Sequence, residues 1–135
     1  MSRLKVQAVP EALTEVQAFV EQELEAHGCP MKSLMQISVA VEEIFINIAS
    51  YAYAPKTGDT EISCEVFGEP RRAELEFTDS GRPFDPLAQP EADVALPAEE
   101  REIGGLGILL VKKSMDEVTY RYRDGRNVLR LVKFF

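Results

Sequence analysis

The sequence has few histidines and cysteines, which many hydrolytic and zinc sites use. It contains one histidine, His27, and two cysteines, Cys29 and Cys64, which form neither a close pair nor a metal-ligand cluster. Because His27 stands beside Gly28 at the expected end of a helix, catalysis by a Ser-His-Asp or Cys-His arrangement has little support. We therefore expect the two cysteines to be reduced thiols in the core or at the surface.

Long apolar runs and clustered cations are also missing. No eighteen apolar residues occur in succession, and residues 1–6 lack the apolar segment of a signal peptide, so we expect a cytoplasmic protein without a membrane span. The 23 acidic residues outnumber the 15 basic ones and leave a net charge of -8, which disfavours non-specific nucleic-acid binding because phosphates need clustered cations. This charge suits a basic partner surface, although its simplest role is to keep the protein soluble.

The patterns along the 135 residues predict a single domain of the α+β class over residues 1–135. Polar and apolar residues alternate in five short segments and follow helical spacing in three longer ones. Because strands come in hairpins and helices stay apart, we expect a two-layer α/β sandwich with a mixed, mostly antiparallel sheet and helices on one face. The predicted strands span residues 4–8, 61–67, 72–78, 117–123 and 127–134, and the predicted helices span residues 11–27, 31–54 and 104–113.

Two polar residues share one face of the second predicted helix. Glu43 and Asn47 lie four residues apart, so their side chains stand one turn from each other and can reach the same ligand. An Asn carbonyl is a hard oxygen ligand suited to Mg²⁺, and a nearby carboxylate can accept a proton from an attacking hydroxyl or water. Taken alone, the pair is more typical of an ordinary polar helix face than of a ligand site.

A turn-forming segment follows the third predicted strand. Asp79 follows directly after that strand, where its carboxylate can face a ligand, and Gly81 lets the backbone approach closely. Because an ionised Asp only accepts hydrogen bonds, it suits an exocyclic amino group such as that of adenine. The alternative is a plain strand-ending turn, which Asp85 would cap or stiffen.

The segment that follows is predicted to be a lid. Residues 80–103 contain four prolines, many acidic residues and little periodicity, which is unusual for a passive loop in a compact domain. We expect the lid to cover the ligand with about residues 84–103.

Glycines open the helix after the lid. Gly104, Gly105 and Gly107 place free backbone N–H groups at the positive end of a helix, which makes a ready phosphate site. The alternative is a glycine hinge without a ligand. The segment is not a dinucleotide fingerprint, because Leu110 stands where a further glycine or alanine is needed, and the chain has no Gly-Lys-Ser/Thr of a P-loop.

In this order, the three segments resemble the N, G1 and G2 boxes of the histidine-kinase-like (GHKL, or Bergerat-fold) ATPases. The wording of residues 42–53, 79–86, 104–108 and 115–118 is similar to that of the small anti-sigma-factor serine kinases of bacterial partner-switching systems. The resemblance covers nearly the whole chain.

The resemblance implies ATP and Mg²⁺ as cofactors and gives each motif a role. Asn47 would hold Mg²⁺, Glu43 would be the general base, and Asp79 would bind the adenine amino group. Gly81 would allow close approach to the purine. The implied nucleotide-binding set is completed by Phe84, Gly104, Gly105, Leu106 and Gly107, of which Gly105 and Gly107 would cradle the phosphates.

The family phosphorylates a serine or threonine on a small anti-anti-sigma protein of the STAS type. Its members bind that protein or a sigma factor, commonly as homodimers, and the resemblance implies the same partners here, with no direct contact to nucleic acid or membrane. The protein's main contribution to such transfer is to position groups and neutralise charge.

One departure leaves alternatives open. Relatives of the sporulation type carry a basic residue two positions before the Gly-x-Gly core, where this chain has Ile103. Arg101 is a possible substitute, and Lys112 and Lys113 are weaker ones. A second hypothesis is therefore an ATP-binding regulatory module with little or no kinase activity, and a third is a detached sensor-kinase domain that would need a histidine on a partner.

Overall fold

The computed structural model describes residues 2–88 and 105–135, which form a layer of helices against one sheet. The order of elements is β1 (Ser2–Gln7), α1 (Leu13–Ala26), α2 (Met31–Tyr51), β2 (Asp59–Gly68), β3 (Arg71–Asp79), α3 (Gly105–Ser114), β4 (Glu117–Arg123) and β5 (Arg126–Phe134). Short 3₁₀ turns occupy Pro10–Ala12 and Pro86–Ala88.

The predicted α+β sandwich is confirmed. The sheet has the strand order β1-β2-β3-β5-β4, and each pair of neighbours is antiparallel. In the described part of the chain the sheet is thus antiparallel rather than mixed. Two hairpins, β2–β3 and β4–β5, pair through β3 and β5, and β1 adds beside β2. The β3–β5 register sets Asp79 opposite Asn127.

The core lies between the helices and one face of the sheet. Alternate residues of β3, namely Ala73, Leu75 and Phe77, are buried towards the helices, as the period of two of a strand requires. The polar residues between them lie on the other face. The helical side of the core is supplied mainly by Val16, Val20, Leu24, Ile37, Val41, Ile44 and Phe45.

Helix α2 is the longest helix and the one that carries the site. Its length and composition alone would suit a membrane span. Here its most apolar side packs on the sheet instead, with Ile37, Val41 and Phe45 all 0% exposed. We therefore interpret α2 as a core helix.

The face of the sheet opposite the helices holds a charged cluster. Glu74 accepts hydrogen bonds from Arg72 Nε over 2.7 Å and from Arg130 Nη2 over 2.5 Å. Burial acts to raise the pKa of the Glu74 carboxyl, but the two arginines outweigh it and hold that pKa below its usual value. This cluster joins β3 to β5.

The helix boundaries differ from the predicted ones at one point that matters for the site. Helix α2 ends at Tyr51 rather than at residue 54, in keeping with the poor tolerance of helical conformation before Pro55. The chain turns so that the Tyr53 hydroxyl donates to Asp59 O over 2.6 Å and accepts from Ser80 N over 2.8 Å. Of the predicted lid, only residues 84–88 lie within the described part of the chain.

Candidate nucleotide site

Glu43 and Asn47 project from the second half of α2. Asn47 Nδ2 donates a hydrogen bond to the backbone O of Glu43 over 2.9 Å. Only the nitrogen of an amide can donate to a carbonyl, so this bond occupies Nδ2 and leaves Oδ1 available. Asn47 lines a cavity between α2 and the sheet, and Oδ1 has no hydrogen-bond partner among the described residues. The structure therefore places Asn47, with the hard oxygen ligand Oδ1, in the cavity wall.

Asp79 ends β3 on the face that the helices cover. Its Oδ1 accepts hydrogen bonds from Gly81 N and from Asn127 Nδ2, both over 2.9 Å. Its Oδ2 has no partner within residues 2–88 and 105–135, and Asp79 lines the same cavity as Asn47. Since no side-chain oxygen or nitrogen in that part of the chain is both fully buried and unpaired, Oδ2 is open to the cavity. A carboxylate oxygen in this position can accept a hydrogen bond from a ligand donor.

The loop after β3 is held against the end of α2. A Cβ on Gly81 would lie 2.2 Å from Ala52 O, so that no larger residue fits this packing. Arg82 N donates to Ala52 O over 3.0 Å, and Arg82 Nε donates to Tyr51 O over 2.9 Å. The structure thus gives Gly81 a packing role that the sequence analysis did not anticipate, beside the expected approach to a purine.

The cavity between these elements has a mainly apolar lining and opens to solvent on one side. The ring of Phe84 stacks on that of Tyr51 with centroids 5.9 Å apart and an interplanar angle of 29°. A flat aromatic ligand fits walls of this kind, with the Asp79 carboxylate as a specific polar group. The apolar lining includes Ile44, Ile48, Phe77, Phe84, Pro86 and Leu129.

Asn127 and Tyr120 belong to the site but were missed by the sequence analysis. Asn127 is 7% exposed, and besides its bond to Asp79 it donates to Arg82 O over 2.9 Å. Its Oδ1 accepts from Phe84 N over 3.2 Å and from the Tyr120 hydroxyl. Asn127 therefore ties the cavity floor to the start of the predicted lid.

A signal for Asn127 was present in the strand pattern. Asn127 stands in phase with Leu129 and Leu131, which point into the core. A polar residue at an inward position of a strand needs a buried partner, and this requirement indicates a site. Burial around Tyr120 raises the pKa of its hydroxyl, which therefore stays protonated and donates to Asn127 at neutral pH.

Glu43 and Gly107 meet where α2 packs against the start of α3. A Cβ on Gly107 would lie 1.9 Å from Glu43 Oε2 and 2.6 Å from Glu43 Cδ. The Glu43 carboxylate thus lies against the first turn of α3, where backbone N–H groups have no partner within the helix. This end of α3 is suited to negatively charged groups.

The predicted site residues fall into two groups. Asn47, Asp79 and Phe84 line one cavity, while Glu43 meets Gly107 at the start of α3. Asn47 and Glu43 share one turn of α2 and so connect the two groups. Gly105 begins α3, whereas Arg101, Ile103, Gly104 and the side chain of Leu106 lie outside the described part of the chain.

The two lysines of α3 are the weaker substitutes for a basic residue at position 103. Lys112 Nζ donates to Leu87 O over 3.3 Å and so ties α3 to the 3₁₀ turn at Pro86–Ala88. Both lysines lie in the last turn of α3, away from its N-terminal end. Their positive charges interact favourably with the negative end of the helix dipole and are too far along α3 to meet a ligand at its first turn.

Comparison with protein families finds a match to the histidine kinase-like ATPase domain over residues 6–133. Among curated proteins, the chain is 29% identical over 106 residues to the serine-protein kinase RsbW of Listeria monocytogenes serovar 1/2a, covering 76% of this chain and 67% of that protein. It is 31% identical over 111 residues to RsbW of Halalkalibacterium halodurans, covering 79% and 66%. It is 27% identical over 95 residues to the serine/threonine-protein kinase BtrW of Bordetella bronchiseptica, covering 70% and 66%. The aligned segments span about two thirds of these relatives' lengths.

Solved structures agree on the fold. The structure of the RsbU and RsbW domains of a Mycobacterium tuberculosis protein has a TM-score of 0.68 at 15% identity, covering 99% of this chain and 32% of that one. The SiaB–SiaC complex of Pseudomonas aeruginosa has a TM-score of 0.59 at 15% identity, covering 98% and 89%.

Proposed function

Because the chain belongs to the histidine kinase-like ATPase domain family, we propose that it is a protein serine/threonine kinase that uses ATP and Mg²⁺ and acts as an anti-sigma factor. Its substrate would be an anti-anti-sigma protein in a bacterial partner-switching system. The observation that carries the proposal is the connection, through one turn of α2, of an apolar cavity containing the open Asp79 oxygen with a carboxylate at the start of α3.

The cavity floor would select adenine. Oδ2 of Asp79 accepts hydrogen bonds and donates none, so it pairs with an exocyclic amino group and repels a carbonyl at the same place. Phe77 and Leu129 add apolar surface for the base. Asn127 would hold Asp79 in place through Oδ1, leaving Oδ2 for the nucleotide.

Asn47 is the residue that would hold Mg²⁺. Within residues 2–88 and 105–135 no three His, Cys, Asp or Glu side chains gather into a metal site. This suits Mg²⁺, which proteins often bind through one or two side chains together with phosphate oxygens and water. When bound, the ion neutralises charge on the phosphates.

Glu43 would act as the general base. Its carboxylate would take the proton of the attacking serine or threonine hydroxyl while the oxygen bonds to the γ-phosphorus and the bond to the ADP oxygen breaks. Free N–H groups in the first turn of α3, around Gly105 and Gly107, would bind the phosphates.

The partners follow from the relatives rather than from the geometry. RsbW and BtrW are named as serine or serine/threonine kinases, and SiaB was solved in complex with SiaC. We propose that this chain, as a single domain, likewise binds an anti-anti-sigma protein and a sigma factor, as a cytoplasmic homodimer.

The test combines transfer and binding measurements on matched variants of α2. Purified protein with Mg-ATP and the cognate anti-anti-sigma protein should produce a phosphoserine or phosphothreonine located by mass spectrometry. Glu43→Ala should lower the transfer rate by about 10²–10⁴-fold, the usual contribution of a general base, with nucleotide affinity retained. Glu42→Ala, which removes an exposed carboxylate next to Glu43, is the control and should change neither quantity.

Asn47→Ala should weaken binding of Mg-ATP more than binding of ATP in EDTA, as measured by calorimetry. An equal loss in both conditions would remove Asn47 from the metal site.

If the native protein binds ATP but leaves every cognate partner unphosphorylated, the kinase assignment falls and the ATP-binding regulatory module remains, as Ile103 in place of a basic residue would favour. If the native protein does not bind ATP, both the kinase assignment and the regulatory-module assignment fail.

A further inference from the structure

The Glu43 carboxylate occupies the space that a side chain at position 107 would fill. A Cβ on Gly107 would lie 1.9 Å from Oε2, 2.6 Å from Cδ and 3.3 Å from Cγ of Glu43. The first two distances are shorter than the 3.0 Å that real Cβ contacts essentially always exceed. Any residue other than glycine at position 107 therefore requires the carboxylate to move.

No other described group holds the carboxylate where it is. The Glu43 side chain makes no hydrogen bond or ion pair with residues 2–88 or 105–135. Helix α2 packs on α3, and the missing side chain of Gly107 leaves a gap between them. The positive end of α3 attracts the charge into this gap. Its position is thus set by available space and by the helix dipole.

We propose that Gly107 is a positioning residue for Glu43, a role separate from binding phosphate through its backbone. This proposal rests on the proposed function, in which Glu43 is the general base. A methyl group at position 107 would displace only the end of a flexible side chain and leave the backbone N–H groups of α3 in place. Gly107→Ala should therefore impair the base while the nucleotide still binds.

The experiment is a double-mutant cycle with Glu43→Ala, Gly107→Ala and the double variant. Transfer to the protein partner, affinity for a non-hydrolysable ATP analogue and the melting temperature are measured for each. We expect Gly107→Ala to lower the transfer rate by at least about tenfold while affinity stays within about threefold. Added to Glu43→Ala, it should lower transfer no further. Gly68→Ala is the control, because a Cβ there would meet nothing within 4 Å.

Melting temperature provides a second readout that needs no activity. Alanine favours a helix more than glycine does, so Gly107→Ala should raise the melting temperature when Glu43 is alanine. With Glu43 present, displacement of the carboxylate should cancel most of this gain. Such coupling reports the contact directly.

Three outcomes would overturn the proposal. Loss of nucleotide affinity by Gly107→Ala, tenfold or more with or without the Glu43 side chain, would show that position 107 acts on the phosphates, with the kinase function intact. Full transfer by Gly107→Ala would show that Glu43 needs no such gap. Absence of coupling in melting temperature would reject the contact between Gly107 and Glu43. This readout is separate from the proposed function, which fails instead if Glu43→Ala retains native transfer.

Discussion

Asn127 donates a hydrogen bond from Nδ2 to Asp79 Oδ1 over 2.9 Å, across 48 positions of sequence. The β3–β5 pairing puts the two residues side by side, and both are buried. Asn127 also accepts a hydrogen bond from the backbone N of Phe84. One amide therefore holds both Asp79, the carboxylate proposed to bind adenine, and the segment that leads towards the predicted lid.

Replacing Asn127 should weaken the site through Asp79. Asn127→Ala removes the donor to Asp79 and leaves Arg82 O and Phe84 N without their partner. We expect a loss of about 1–3 kcal/mol in the free energy of unfolding, typical of unsatisfied buried groups, and weaker ATP binding. Urea denaturation and calorimetry measure the two effects. Unchanged ATP affinity in a folded Asn127→Ala protein would contradict the role of Asn127 in holding Asp79.

Asn127→Asp gives a prediction that depends on pH. This nearly isosteric change sets two carboxyls side by side, and repulsion between their negative charges favours keeping one proton on the pair. A proton shared between them restores the hydrogen bond to Asp79. ATP affinity of the variant should therefore recover, relative to the native protein, as the pH falls from about 8 to about 5. A constant ratio of affinities over this range would exclude the effect.

Gly81→Ala should disturb the loop after β3 because its Cβ would overlap the backbone of α2, 2.2 Å from Ala52 O. Backbone atoms yield less easily than the end of a side chain. We expect a destabilisation of about 1–3 kcal/mol, as for overpacked sites. Gly68→Ala, whose Cβ is in open space, is the matched control in chemical denaturation. Equal stabilities of the two variants would argue against this packing.

Glu74 should contribute stability that is lost in acid. Its pKa is lower in the folded protein than its usual value of 4.5, because the hydrogen bonds from Arg130 and Arg72 outweigh burial. The stabilisation is thus fully present above the unfolded pKa and disappears as the pH falls through the folded one. Glu74→Gln should lower the free energy of unfolding by about 1–3 kcal/mol at pH 7 and by less below pH 4. Stability measured against pH tests this, and parallel curves would count against the cluster.

Cys64 should be unreactive in the folded protein. Burial raises the pKa of its thiol to about 12, so very little thiolate forms at neutral pH. Cys29 is only half-buried, although burial also raises the pKa of its thiol. In a Cys29→Ser protein, a thiol reagent at about pH 8 should label Cys64 only after denaturant is added. Rapid labelling of the native variant would contradict the burial of Cys64.

Periodicity was sufficient for the elements and their class. Helical spacing in α2 predicts a core-facing stripe that includes Ile37, Val41 and Ile44, and the structure buries all three. The end of α2 was predicted less well, since residues 52–54 turn to let Tyr53 bond to the loop after β3. The roles of the motif residues remain predictions, and several of these residues lie outside the described part of the chain.

By itself, the sequence determined the α+β class and the order of three motifs that resembles one family. It also placed Glu43 and Asn47 on one helix face and Asp79 beside the end of a strand. Each of these features depends on neighbours close along the chain. The tertiary structure alone decided that Asn127 orients Asp79 and that Gly107 makes room for Glu43. Those pairs lie 48 and 64 residues apart, and their contact depends on the register of β3 with β5 and on the packing of α2 against α3. No local pattern encodes such distances, since they arise only when the whole core has formed.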